Sequence, residues 1–120
     1  MRYIIVGGSA AAISAVESIR SLDRESGIDL FSDEETPLFS RVLLPYYVAE
    51  ELSKPLLNFR TADFFEENKV TPHMGVKVTS LNTAAKTIRT TDGQTYAFDK
   101  LLLATGGKAI VPPIPGIDKE

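Results

Sequence analysis

The first thirty residues constrain this chain most. An apolar, β-branched run, RYIIV (2 to 6), leads directly into Gly7-Gly8-Ser9-Ala10-Ala11-Ala12. Small residues at that junction let the chain turn tightly and let a following helix lie close against the strand. From Ala10 to about Leu22, Ala12, Ala15, Val16, Ile19 and Leu22 recur at the spacing of one helical face, with Glu17, Ser18 and Arg20 turned outward. Gly27 is expected to end the helix, and IDLF (28 to 31) reads as a second strand. Residues 2 to 31 therefore form a β-turn-α-β unit of about the 30 residues such a motif takes.

In a pyrophosphate-binding turn of this kind the first glycine makes the bend, the second admits the phosphates, and the third lets helix and strand pack. Those places hold Gly7, Ser9 and Ala12. Alanine is accepted at the third. Serine at the second narrows the approach, but its hydroxyl can donate to a phosphate oxygen beside the N-terminus of the helix.

After this unit the pattern changes twice. Between Ser32 and Asn58 it breaks into acids and prolines (Pro37, Pro45, Pro55) around PLFSRVLLPYY, a loop of a length that is usually functional. A helix is expected to start at Thr61 as N-cap, with Asp63 in its first turn, and to run to about Asn68. From Lys69 onward the period is two. VKVTSL (76 to 81), KTIRTT (86 to 91) and QTYAF (94 to 98) are three candidate strands, and Asp92-Gly93 is a hairpin signal between the last two. This predicts an antiparallel meander. KLLLATGG (100 to 107) gives a last apolar strand, and VPPIPGIDKE is a proline-rich exit.

Composition removes several function classes. A net charge of -3 with 24% charged residues provides no basic block for nucleic acid. No apolar run reaches the roughly 20 residues that span a bilayer, and the first strand starts too early for a signal peptide, so the expected location is the cytoplasm. Without cysteine there is no disulfide, thiolate metal site or thiol nucleophile. The single histidine, His73, has no partner ligands nearby and is expected at a strand end or on the surface. No residue reads as a general acid, base or nucleophile, since the carboxylates sit in turns and the serines lack a nearby histidine.

GGSAAAISAVESI, SDEETPLFSRVLLPYYV, the meander and LLLATGGKAIVPPIPG together resemble the N-terminal part of the FAD-dependent pyridine nucleotide-disulfide oxidoreductase superfamily, over nearly all 120 residues. The resemblance implies an α/β fold: a Rossmann-like FAD-binding domain of glutathione-reductase type, with a parallel sheet and a three-stranded antiparallel meander. It further implies that residues 1 to 120 are the N-terminal portion of that domain in a longer enzyme with two dinucleotide domains. In the family, NADH or NADPH gives hydride to FAD and the electrons pass to an acceptor. A segment absent here would complete the domain, leaving an apolar edge at LLLAT that favours self-association.

Site residues follow from the resemblance position by position. Gly7, Gly8, Ser9, Ala10, Ala11 and Ala12 match the phosphate loop. The family's ribose-binding acid is replaced by Ser32, and Asp33 or Glu34 is expected to take over its contact. Arg41 matches an arginine set against FAD, and Val78 a residue whose backbone holds adenine. Ala104, Thr105 and Gly106 match the family's ATG turn. Val42 stands where the thiol-using branches carry a redox cysteine, so the chain resembles the nitrite reductase and rubredoxin reductase branches. The competing readings are an NAD(P)-binding Rossmann domain of a dehydrogenase and a non-enzymatic nucleotide-binding or oligomerisation module.

Overall fold

The computed structural model describes residues 1 to 117 other than Pro37, Phe59, Ala62 and Ala109. Its centre is a parallel sheet of β1 (Arg2–Val6), β2 (Gly27–Ser32), β3 (Val70–Met74) and β7 (Lys100–Leu103), in the order β3-β2-β1-β7. Helix α1 (Ala10–Leu22) makes the crossover between β1 and β2. A separate antiparallel sheet holds β4 (Val78–Asn82), β5 (Thr87–Thr90) and β6 (Thr95–Ala97) in sequential order, which is the expected meander.

Strand periodicity decides what covers each face. In β1 and β2, Ile5, Ile28 and Leu30 point to one side, where Ala12, Ile13 and Val16 of α1 pack on them with Phe64 of α3 (Phe64–Glu67). Ile4, Val6 and Phe31 point to the other side and meet Ile88, Val78 and Tyr96 of the meander. Both faces are therefore dry, and each fully buried side chain among them contributes about 1.5–3 kcal/mol. This is why RYIIV and IDLF carry no polar alternation, save at Asp29.

Asp29 projects on the meander side and is buried, contrary to the expectation that the carboxylates lie in turns. Its two oxygens accept from Arg2 Nε at 2.9 Å and pair with His73 Nε2 at 2.8 Å. His73 in turn stacks on Phe31, with ring centroids 4.2 Å apart. The histidine lies next to the end of β3, as one of the two expected placements has it, and is half-buried there rather than on the surface.

Other boundaries differ from the sequence reading for local reasons. α1 stops at Leu22, and Gly27 opens β2 instead of ending the helix. The exit is made by Asp23, whose carboxylate accepts the N–H groups of Glu25 and Ser26 and the Tyr3 hydroxyl. Hydrogen bonds from Ser26 hold that carboxyl well below the usual range. Arg20, expected to face solvent, bends back and donates to the carbonyls of Asp23, Ser26, Asn68 and Lys69, tying the end of α1 to the start of β3. α3 begins at Phe64 with Asp63 as its N-cap residue, and Thr61 contributes its carbonyl, which accepts the Phe64 N–H at 3.2 Å.

The segment from Ser32 to Asn58 is not one open loop. It contains a 3-10 turn at Arg41–Leu43, a short helix α2 (Leu44–Val48) and a second 3-10 turn at Lys54–Leu57. Leu38 and Leu57 anchor it to the core. Pro37 and the end of the exit segment (118 to 120) lie outside the described residues. No helix among the described residues is long and apolar enough to cross a membrane.

Candidate functional site

A cleft of about 330 Å³ opens where β1, β2 and β7 end, between the parallel sheet and the meander. Parallel sheets place ligands at this carboxyl edge, because strand ends and helix starts leave backbone groups unpaired there. Four stretches of chain line it, and each arrives for a different reason.

The first is the glycine turn. Gly7 has a φ of +130, and a Cβ there would sit 2.1 Å from the Ala104 carbonyl oxygen, so a side chain is barred both by conformation and by the strand beside it. At Gly8 a Cβ would lie 3.0 Å from Ser32 Oγ. Ser9 is the N-cap residue of α1, yet its hydroxyl makes no capping bond, and the first turn carries no acidic residue. The first intrahelical bond is Ile13 N–H to Ser9 carbonyl at 3.1 Å. The amides before it have no intrahelical acceptor, leaving donors and a positive helix end at the cleft.

The second stretch follows β2. Ser32 is buried, and its Oγ accepts the Glu34 N–H at 3.2 Å. The serine thus shapes the turn that carries Asp33 and Glu34 to the cleft wall. Arg41 completes this wall, ion-paired with Glu34 and set over the Phe39 ring at 5.0 Å.

The third stretch is the entry to the meander. Val76 N–H donates to the Ser32 carbonyl at 2.9 Å, and Gly75 N–H to the Glu34 carbonyl at 3.2 Å. These bonds tie the acid turn to the start of β4, bringing Val76, Lys77 and Val78 to the cleft. The fourth is the turn after β7, where Ala104 N–H donates to the Val6 carbonyl at 2.7 Å and fixes Ala104, Thr105 and Gly106 beside the glycine turn.

The cleft therefore brings together Gly7, Gly8, Ser9, Asp33, Glu34, Arg41, Val78, Ala104, Thr105 and Gly106. It does not bring in the side chains of Ala10, Ala11 and Ala12. Ala10 and Ala11 face solvent in the first turn of α1, and Ala12 is fully buried against the sheet, as the helix-packing place of the motif requires. Lys77 lines the cleft and was missed in sequence, because a lysine at a strand entry has the same pattern as a solvated edge. Val42, beside Arg41, is 78% exposed.

The donor set fits an elongated anion with a sugar. Among the described residues, helix amides with no intrahelical acceptor, a serine hydroxyl with no capping bond and a guanidinium suit a diphosphate, and a carboxylate just after β2 suits a diol.

A family model for pyridine nucleotide-disulphide oxidoreductases matches residues 1 to 120. The epsilon subunit of the NADH-dependent phenylglyoxylate dehydrogenase of Aromatoleum evansii is 36% identical over 117 residues, which is 98% of this chain and 28% of that protein. The nitrite reductase (NAD(P)H) of Bacillus subtilis strain 168 is 30% identical over 120 residues, 99% of this chain and 15% of that protein. The crystal structure of the covalent putidaredoxin reductase-putidaredoxin complex superposes with a TM-score of 0.86 at 27% identity, covering 93% of this chain and 27% of that one. This chain thus spans under a third of the length of each relative.

Proposed function

The chain belongs to the FAD-dependent pyridine nucleotide-disulphide oxidoreductase family, and from that premise we propose that its cleft holds the ADP half of FAD in a longer NAD(P)H-dependent oxidoreductase. The observation that carries this reading is the meeting of the uncapped α1 N-terminus, Arg41 and the Asp33-Glu34 turn around one cavity. The amides of the Gly7 to Ala12 turn, the Ser9 hydroxyl and Arg41 hold the pyrophosphate. Asp33 or Glu34 accepts the ribose hydroxyls. The Val78 backbone meets adenine, and the small residues Ala104, Thr105 and Gly106 let main chain lie close to the cofactor.

Held there, FAD would supply the redox chemistry, namely hydride acceptance from NAD(P)H and delivery of the electrons to an acceptor. The protein contributes position and field. With valine at position 42 and no cysteine in the sequence, the electrons leave without a thiol of this chain. A redox protein is the acceptor class supported by the reductase-putidaredoxin complex among its structural relatives. The antiparallel meander favours this reading over an NAD(P)-binding dehydrogenase domain, which would continue with βα units.

Residues 1 to 120 on this reading are the first portion of the FAD domain. Among the described residues β7 pairs only with β1, and its Leu103 and Leu102 are 59% and 38% exposed. A strand edge with bare leucines is a surface that later sequence would cover, and that drives self-association when it is left open. The isolated chain is expected to bind flavin weakly and to lack reductase activity. Purifying it and measuring flavin absorbance and NADH oxidation tests both points. Uptake of added FAD without turnover is the expected result; robust NADH oxidation by these residues alone would refute the partial-domain reading.

A further inference from the structure

The excursion from residue 40 to residue 57 is closed at its base like a loop on a stem. Ser40 N–H donates to the Leu57 carbonyl at 2.6 Å, Phe39 and Asn58 form an isolated antiparallel bridge, and Leu57 is buried. Just past the base, Arg41 reaches back to Glu34 on the turn after β2. Among the described residues every other hydrogen bond of residues 41 to 56 stays within the excursion and its base, as at Leu43, Ala49, Glu50, Glu51 and Leu56. The 3-10 turn at Arg41–Leu43 and α2 bury no side chain, and Val42, Val48 and Leu56 are exposed. An open recess of about 480 Å³ at the base, between Thr36 and Phe39 on one side and Lys54 and Pro55 on the other, leaves room for the excursion to pivot. A unit with its own hydrogen bonds and so little buried surface opens as a whole at small cost.

Resting on the FAD reading above, we infer that residues 40 to 57 form a strap latched through Arg41, so that occupancy of the cleft sets how firmly the strap is held. Glu34 holds the latch while the cleft is empty, and a phosphate of the ligand takes hold of it when the cleft fills. The guanidinium carries five donors, so it passes from carboxylate to phosphate, or bridges the two, without being left bare. Both side chains of the Arg41–Glu34 pair are substantially exposed, which makes it a weak hold. A phosphate already fixed by the amides at the start of α1 is a firmer one. The coupling runs both ways. The factor by which a closed strap strengthens ligand binding is the factor by which bound ligand suppresses opening of the strap.

The test is amide hydrogen exchange of the flavin-free protein, resolved by residue, with and without saturating ADP. The hydrogen-bonded amides of Ser40, Ala49, Glu50 and Glu51 are expected to slow together by about tenfold when ADP binds, although α2 lines no part of the cleft. In Arg41→Gln, with ADP raised to keep the site saturated, that slowing should be lost while the amide resonances of Gly8 to Ala11 still shift on binding. A merely structural role for Arg41 would change exchange of the empty protein and leave its response to ADP intact. Strap amides indifferent to ADP, with the glycine-turn resonances shifting, overturn the strap and leave the FAD reading standing. Slowing that persists in Arg41→Gln overturns Arg41 as the latch. Failure of the unmodified protein to bind ADP at all overturns both readings.

Discussion

The two walls of the cleft are built on opposite principles. On the glycine side, Gly7 is dictated by the protein itself, because its missing Cβ makes room for the Ala104 carbonyl of the neighbouring strand end. On the acid side, Asp33, Glu34 and Arg41 are exposed or half-exposed and touch little of the core. The first wall is part of the fold and supplies backbone donors as a consequence. The second is an attachment whose side chains are free to answer to a ligand. Fold and function are therefore separable by mutation, wall by wall.

The largest effect should come from Gly7→Val. A β-branched side chain at φ +130, driven into the Ala104 carbonyl, is expected to cost about 3 kcal/mol or more, visible as a large drop in the urea midpoint. A near-normal midpoint would break the comparison, since the glycine would then serve only the ligand. Arg41→Gln should behave in the opposite way. Binding of ADP falls about tenfold, while stability stays within about 0.5 kcal/mol of the parent because its ion pair is exposed.

Ser32→Ala sharpens the boundary between the walls. The buried hydroxyl holds the Glu34 N–H, so its loss should cost about 1 kcal/mol and loosen the acid turn, lowering stability and ADP affinity together. Ser9→Ala separates them again. Removing an N-cap serine ordinarily costs about 1 kcal/mol. Here no capping bond exists to lose, so the midpoint should move little, and ADP affinity should fall about threefold. The smallest effect lies outside both walls. Asp23 is ionised well below its usual range by hydrogen bonds from Ser26, so its contribution is present above about pH 4 and is lost as pH falls further. Asp23→Asn should flatten that part of the stability profile and leave ADP binding unchanged.

The glycine wall was legible in sequence because it is the fold. Strand, small-residue turn and amphipathic helix each carry a periodic or steric signature, and α1 falls on Ala10–Leu22 as the spacing predicts. The meander was legible through its two-residue period and the Asp92-Gly93 turn. What escaped lacks a period. β3, VTPHM, was missed because Pro72 interrupts the pattern, and it is tolerated only because β3 is the sheet's edge. Arg20 sits on the polar face of its helix by spacing, yet its long side chain returns to cap four carbonyls, a tertiary event that no helical wheel contains. On the acid wall the residues were identifiable but their pairing was not. Glu34 and Arg41 are joined through an irregular segment, where spacing says nothing about distance.

On the proposed function this cleft grips the ADP end of FAD. The most direct test of this is titration of FAD into the flavin-free protein, followed by flavin fluorescence, with ADP and riboflavin as competitors. The expected result is one FAD per chain, displaced by ADP and not by riboflavin, with affinity lowered by Arg41→Gln. FAD binding that riboflavin displaces, that ADP does not, and that is indifferent to Arg41 would contradict it.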